Sequence, residues 1–352
     1  MKKTQVGFTL IELMISLTLG LIVTAAAILL FLTGQRSVAM QKGVAELQDN
    51  ANFGLNYITK DIRLTNLNVK DAVINDSTLY GGVVLTSKDS TDVVSATKTA
   101  ADGTTTTIQY PNLPVGITIA DTLLSQSGSR VATGSANSWT GTSNVNNTSG
   151  TALVSDQLVI QYLPQYILDN KNTPTNQSDD QIVGGFDCEG NELRFNKSDG
   201  LQMVVQRYFL RSDTNKANNE SAPLALACDA GFYPVDSPNA ISRYGDAGEI
   251  IMKRVDHFRV LLGVQYANGN LRYLSIADYM ALTAPRPRIL SLQLGALVRS
   301  TQSVGTDSAV KADQSFQVLD QTVKVKASTD PKYIRQVVSQ TIALRNALGE
   351  RE

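Results

Sequence analysis

Few residues in this 352-residue sequence could carry chemistry, and each is scarce or oddly placed. Histidine occurs once, at His257, so a two-histidine metal site cannot be built and any catalytic triad must run through that residue. Cysteine occurs twice, at Cys188 and Cys228, too few for a zinc site of three or four thiolates. Glu12 is a carboxylate inside a long apolar run. Such a placement costs about 2.5–3.5 kcal/mol on membrane-insertion scales, so Glu12 either snorkels to an interface or has a partner. The acids and amides between Asp169 and Asp180 have a calcium-like composition, but Pro174 and the lack of a glycine and a closing glutamate break the EF-hand spacing. No nucleotide-binding glycine loop and no nucleophile elbow occurs. With 31 Lys+Arg against 32 Asp+Glu, there is no electrostatic footprint for nucleic acid. These counts imply no enzyme and no cofactor.

The element that positions Glu12 reads clearly. Residues 1–7 form a short leader with Lys2 and Lys3 and no acid. Phe8 opens an apolar run to about Leu32, and from Leu13 to Gln35 there are 23 consecutive uncharged residues. At about 1.5 Å per residue this spans a bilayer core of roughly 30 Å. A cleaved secretory signal has a shorter apolar core followed by small residues, whereas Ala25, Ala26 and Ala27 lie inside this run. The basic leader places the amino terminus in the cytoplasm; Arg36 and Lys42 weaken that bias without reversing it. Farther on, Val44, Leu47, Ala51, Leu55, Ile58 and Ile62 repeat at helical spacing, with Glu46, Gln48, Lys60 and Arg63 elsewhere around the helix. No proline occurs between Met1 and Tyr110, so one continuous helix is expected from Phe8 to about Leu64. Residues 8–35 would be its membrane or filament-core part and 36–65 its amphipathic part.

From about Asn66 the pattern changes to short strands, giving a β-rich domain over 66–352. Val93 to Tyr110 reads as a hairpin around Asp102-Gly103, and Leu158 to Leu163 as a further strand. Phe258, Val260, Leu262, Val264 and Tyr266 alternate, and Asn268-Gly269 leads into Leu271 to Ile276. That register puts His257 on the opposite face with Arg259 and Gln265, as a solvent-facing or rim histidine. Leu290, Leu292, Leu294, Ala296 and Val298 mark another strand. The tail from Tyr333 to Leu348 fits either a helix or a strand. Between Ser125 and Thr151, 20 of 27 residues are Gly, Ser, Thr or Asn, which predicts a long surface loop or a flexible insertion. Trp139 within it either anchors the loop or presents a partner contact. In an oxidising periplasm Cys188 and Cys228 read as one disulfide, contributing about 3–4 kcal/mol by chain entropy; two unrelated buried thiols are the alternative.

The run Gly7-Phe8-Thr9-Leu10-Ile11-Glu12, between basic residues and an apolar helix, resembles the processing signal of type IV prepilins and pseudopilins. The resemblance implies that a prepilin peptidase cuts between Gly7 and Phe8 and methylates the new Phe8 amine. It also implies that Glu12 serves subunit assembly by pairing with such an amine in a filament. Phe186-Asp187-Cys188-Glu189-Gly190, Gln206-Arg207-Tyr208-Phe209-Leu210-Arg211 and Leu226-Ala227-Cys228 are similar to the PilW group of minor pilins. So are Val255-Asp256-His257-Phe258-Arg259-Val260, the strand ending Leu297-Val298-Arg299-Ser300, and Thr341-Ile342-Ala343-Leu344-Arg345-Asn346. Residues 66–155 match little of that pattern. The implied class is α+β and pilin-like: a long amino-terminal helix on an antiparallel sheet domain with large loop insertions, its tail a last strand. The implied role is a minor pilin that helps initiate a type IV pilus at or near its tip. The bulk would be periplasmic, anchored in the inner membrane by one pass, and then part of an extracellular pilus. Its partners would be minor and major pilins, the peptidase and the inner-membrane assembly platform. The alternative is a minor pseudopilin of a type II secretion system.

Overall fold

The computed structural model describes residues 7–99, 102, 104–128, 134, 137–173, 177–216, 220–304, 310, 314–326 and 333–348. Lys2 and Lys3 of the leader, Gly103 of the expected hairpin turn, Arg130 and Pro174 lie outside them.

Helix α1 runs unbroken from Leu10 to Ile62, 53 residues and about 80 Å. Proline-free sequence allows this length; past Ile62 the backbone tightens, Leu64 N donating to Asp61 O and Thr65 N to Ile62 O, and the chain bends at Asn66 and Asn68, both at positive φ, which asparagine tolerates better than most residues. The chain then turns onto two four-stranded antiparallel sheets. The first contains β1 (Leu158–Tyr162), β2 (Gln202–Ser212), β3 (Leu224–Pro234) and β4 (Glu249–Lys253), in the order β4-β3-β2-β1. The second contains β5 (Val255–Gln265), β6 (Leu271–Ser275), β7 (Arg288–Arg299) and β8 (Arg335–Ala343), in the order β6-β5-β7-β8. Only Arg254, at φ +59°, separates β4 from β5 and passes the chain from one sheet to the other.

The predicted face of α1 lies against both sheets. Leu47, Ala51, Leu55, Ile58 and Ile62 share one core with Leu226, Met252, Val260, Leu294, Val298 and Ile342. The alternation in β5 and β7 supplies the inward set, as period-two patterning requires. Asn50 completes the docking: its side chain donates to Lys253 O at 2.7 Å and accepts from Lys253 N at 3.1 Å, covering the free edge of β4. Gly54 sets the distance of approach. A Cβ there would stand 2.9 Å from Met252 Cβ.

Smaller layers cover the outer faces. Val69, Val84, Leu113, Ile117 and Leu124 lie against Val159, Met203, Val205 and Tyr233 on the first sheet. A three-stranded sheet of Val145–Asn146, Ser315–Val318 and Gln321–Val325 covers Leu297 on the second. The expected hairpin is present as Val94–Thr99 paired with Thr105–Tyr110, and the tail is strand β8 with a short turn at Arg345–Ala347. Asn268-Gly269 makes the β5–β6 turn, with Gly269 at φ +84°.

Two sequence expectations are overturned here. Within the described part of 125–151, residues 125–127 and 139–145 are packed rather than solvated, while Asn137 and residues 148–151 are exposed. Ser125, Gln126 and Ser127 are fully buried, and Trp139 is buried with its indole N–H donating to Ser155 O at 2.9 Å. Backbone pairing of Gln126 with Gln157, and Asn144 donating to Asp256 O and Oδ1, satisfies this polar stretch without apolar side chains. Composition counts only apolar burial, which is why it misreads the segment. His257 is likewise fully buried, because the small sheet lies over its face of β5. Its Nε2 meets Gln321 Oε1 at 2.9 Å, and its Nδ1 meets Ser155 Oγ at 3.2 Å.

Two outcomes are expected. Gly54→Val should lower stability by about 1–3 kcal/mol, because overpacking against Met252 outweighs the few tenths gained in helix propensity; thermal unfolding of the detergent-solubilised chain measures it. Burial pushes His257 down to about 4, so its contribution to stability is complete above pH 6.5 and is lost as pH falls toward 4. Asp61, pushed up to about 6, and Asp156 and Glu189, each pushed up to about 7, chiefly by burial, act in the opposite sense. The informative quantity is therefore a difference. The unfolding free energy of the native chain minus that of His257→Gln should fall between pH 7 and 4.5 by up to about 1.4 kcal/mol per pH unit. Parallel curves would contradict the assignment.

Candidate functional site: the amino-terminal assembly segment

Gly7, Phe8 and Thr9 precede the helix; all three are exposed, and Thr9 is extended. A Cβ on Gly7 would meet nothing within 4 Å, so the Gly7–Phe8 peptide lies open on the molecule. Thr9 is the residue before α1 but supplies no side-chain cap; instead Glu12 N and Leu13 N donate to Thr9 O at 3.1 and 3.2 Å. This places Glu12 in the first turn. A carboxylate there is favoured by the partial positive charge of the helix start, worth about 0.3–1 kcal/mol when exposed. Among the described residues it has no ion-pair partner within the chain.

The helix around it is bare. Phe8 is 84% exposed, Leu30 75% and Leu13 63%, and no residue from Leu10 to Val38 is buried. Four hydroxyls in this stretch bond to the helix backbone. Ser16 donates to Glu12 O at 2.7 Å, Thr18 to Ile15 O at 2.9 Å, Thr24 to Gly20 O and Thr33 to Leu29 O at 2.8 Å. Hydroxyls satisfied by carbonyls one turn back leave no stranded donor in an apolar medium. Residues 10–62 thus include a stretch long and apolar enough to cross a membrane, with none of it buried in the chain.

The other expected pair is brought together. Cys188 and Cys228 form a disulfide with Cα atoms 6.1 Å apart, both side chains buried beside α1. Tyr57 of the helix donates its hydroxyl to Cys188 O at 3.0 Å. Nothing brings Gly7, Phe8 and Glu12 near this bridge; they stand at the free end of the helix. Two of the three acids of 169–180 are engaged in ion pairs, Asp169 with Arg194 at 2.6 Å and Asp180 with Lys197 at 2.8 Å, and Asp179 accepts from the Thr173 hydroxyl at 3.0 Å.

Sequence reading missed two features. Arg207 is fully buried on Asp229 at 2.7 Å, and Arg259 bridges Asp156 and Asp320. Arg254 pairs with Asp213 and Glu220, Arg299 with Glu220 at 2.9 Å, and Arg335 with Asp256 at 2.8 Å. The only available signal was arginine inside otherwise apolar strands. The second is a group of carboxylates, Glu189, Asp229 and Asp246, gathered from three separate segments.

Residues 208–346 match the family model described as Type IV Pilus-assembly protein W, and residues 2–28 match the Prokaryotic N-terminal methylation motif. Among curated proteins no match was found. Among solved structures, a type IV-like pilin from Thermus thermophilus is similar at 15% identity, with a TM-score of 0.20, over 52% of this chain and 82% of that one. That likeness is too slight to bear on the fold. The two family matches fall on features described above: residues 2–28 take in the bare helix start, and residues 208–346 take in most of the two antiparallel sheets with Cys228 and most of the buried arginines, so these stretches are similar to type IV pilus-assembly proteins of the PilW family.

Proposed function

We propose that this protein is a minor pilin that helps initiate type IV pilus assembly and sits at or near the pilus tip. The observation that supports the reading is the division of α1: one half docked on two sheets, the other apolar and bare over its whole circumference. Such a half must be covered by lipid before assembly and by other helices after it. The amino terminus faces the cytoplasm and the sheet domain the periplasm, where the disulfide forms. A prepilin peptidase cuts the open Gly7–Phe8 peptide and methylates the Phe8 amine. Removing the basic leader leaves that amine and Glu12 as the charges of the apolar segment. In a filament core the Glu12 carboxylate pairs with a Phe8 amine, and losing one partner of a buried pair costs about 3–5 kcal/mol. The protein then works through helix packing, and through contacts with other pilins and the inner-membrane assembly platform, not through catalysis. A minor pseudopilin of a type II secretion system would share the amino-terminal chemistry; the match over residues 208–346 to a pilus-assembly family favours the pilus.

Deleting the gene should reduce sheared surface pili and twitching while secretion stays normal. Lost secretion with normal pili would assign the protein to the secretion system instead. Gly7→Val should block cleavage by steric exclusion, so mass spectrometry of membranes would find no mature Phe8 terminus. Glu12→Ala and Glu12→Gln should both be processed and membrane-resident yet enter pili poorly. Normal piliation by both at native expression would reduce Glu12 to a snorkelling side chain.

A further inference from the structure

Among the described residues, a group of three acids lies at the disulfide. Glu189 follows Cys188 and Asp229 follows Cys228, so the bridge draws these two positions together. Asp246, just before β4, completes the group, and one carboxylate oxygen from each of the three lies within 4.8 Å of the others. The second observation is at Asp229, which is fully buried. Its Oδ2 accepts from Arg207 Nε at 2.9 Å and from Gly245 N at 2.9 Å, whereas its Oδ1 has neither a hydrogen-bond partner nor solvent. A buried carboxylate oxygen without a donor is costly, and a cation facing it removes that cost. Solvent reaches the group through a cleft lined by Asn137, Glu189, Asn191, Asp246, Gly248 and Glu249.

We propose that Glu189, Asp229 and Asp246 bind a Ca²⁺ ion, with Asp229 Oδ1 as the buried ligand and Asp246 at the solvent side. The donors are all carboxylate oxygens, which select a hard cation; both cysteines are tied in the bridge and His257 is bonded elsewhere. Calcium–oxygen distances of about 2.3–2.6 Å let one ion span oxygens nearly 5 Å apart. Magnesium, at about 2.0–2.1 Å, reaches only to about 4.2 Å and holds its water more tightly. The ion would join the hairpin that carries Glu189, the inner strand β3 and the segment before β4 at the corner where Tyr57 of α1 also docks. This site was not legible in the sequence, from which no metal was expected.

The test is calcium itself, titrated into chelator-treated, detergent-solubilised full-length protein by calorimetry and thermal unfolding. A dissociation constant of about 10⁻⁴–10⁻³ M is expected, the range of extracellular calcium modules. With 10 mM Ca²⁺ the Tm should rise by about 2–4 °C, and clearly less with equal Mg²⁺. Glu189→Gln and Asp246→Asn, which leave the Arg207–Asp229 pair intact, should each weaken binding at least about tenfold while near-UV dichroism stays native; if one fails to fold, the other decides. Absence of saturable calcium heat and of any Tm shift in the native chain would overturn the site. So would unchanged affinity in both folded variants, or an equal response to magnesium.

Discussion

A single helix of 53 residues is docked over only its second part, and the point at which docking begins governs the rest of the molecule. The first buried residue along α1 is Gly43, close to Ser300, Val304 and Ile334. From there to Ile62 the apolar face packs on both sheets, sharing their core with Ile74, Leu85, Tyr279 and Met280. Burial of apolar area, at about 25 cal/mol per Å², makes this contact the main source of cohesion between the helix and both sheets. Polar groups then fix its position: Asn50 on Lys253, Tyr57 on Cys188 O, and Asp61 accepting from Tyr208 at 3.1 Å. The free half inherits its direction from that docking and has no constraint of its own within the chain.

The ends of the strands are held differently. Asp213, Arg254, Glu220, Arg299, Asp256 and Arg335 form a buried chain of ion pairs across the ends of β5, β7 and β8 and the junction with β4. Desolvating so many charges offsets most of their attraction, so the network adds little net stability over apolar residues of equal volume. Its consequence is geometric. Arg254 sits at positive φ where the chain changes sheets, and its guanidinium is gripped by two carboxylates from the β2–β3 connection. Arg299 also lies over the Tyr333 ring at 4.5 Å, which ties the end of β7 to the start of β8. A displaced strand end would strand a charge in the interior.

Residues such as Ser125, Gln126, Asn144 and Ser155 play the complementary part. Gln126 exchanges backbone bonds with Gln157, Ser125 Oγ accepts from Val159 N at 2.8 Å, and Ser155 Oγ accepts from Phe258 N at 3.2 Å. Small polar side chains reach strand backbones that larger ones could not approach, and so they close the seam between the sheets. Trp139 is set in this seam as a buried anchor.

Much of the fold was legible in the sequence because it depends on local periodicity. The apolar run from Phe8, the 3- and 4-residue spacing from Val44 to Ile62 and the absence of proline determined a continuous, divided helix. The alternation from Phe258 to Tyr266, the Asn268-Gly269 turn and the alternation from Leu290 to Val298 determined β5, β6 and β7. The residues proposed for processing and assembly, Gly7, Phe8 and Glu12, are neighbours in the chain, so their proposal needs no tertiary structure. Tertiary structure alone decided what covers each outer face. His257 reads as solvent-facing within its own strand, and becomes buried because Gln321 and its small sheet arrive from more than 60 positions away. Residues 125–151 read as solvated because backbone hydrogen bonds to distant strands have no compositional signature. The tail became a strand because the free edge of β7 was there to pair with it. Glu189, Asp229 and Asp246 became neighbours only through a disulfide and a sheet register, since a carboxylate cluster drawn from three segments is a property of distances in space and has no period in the sequence.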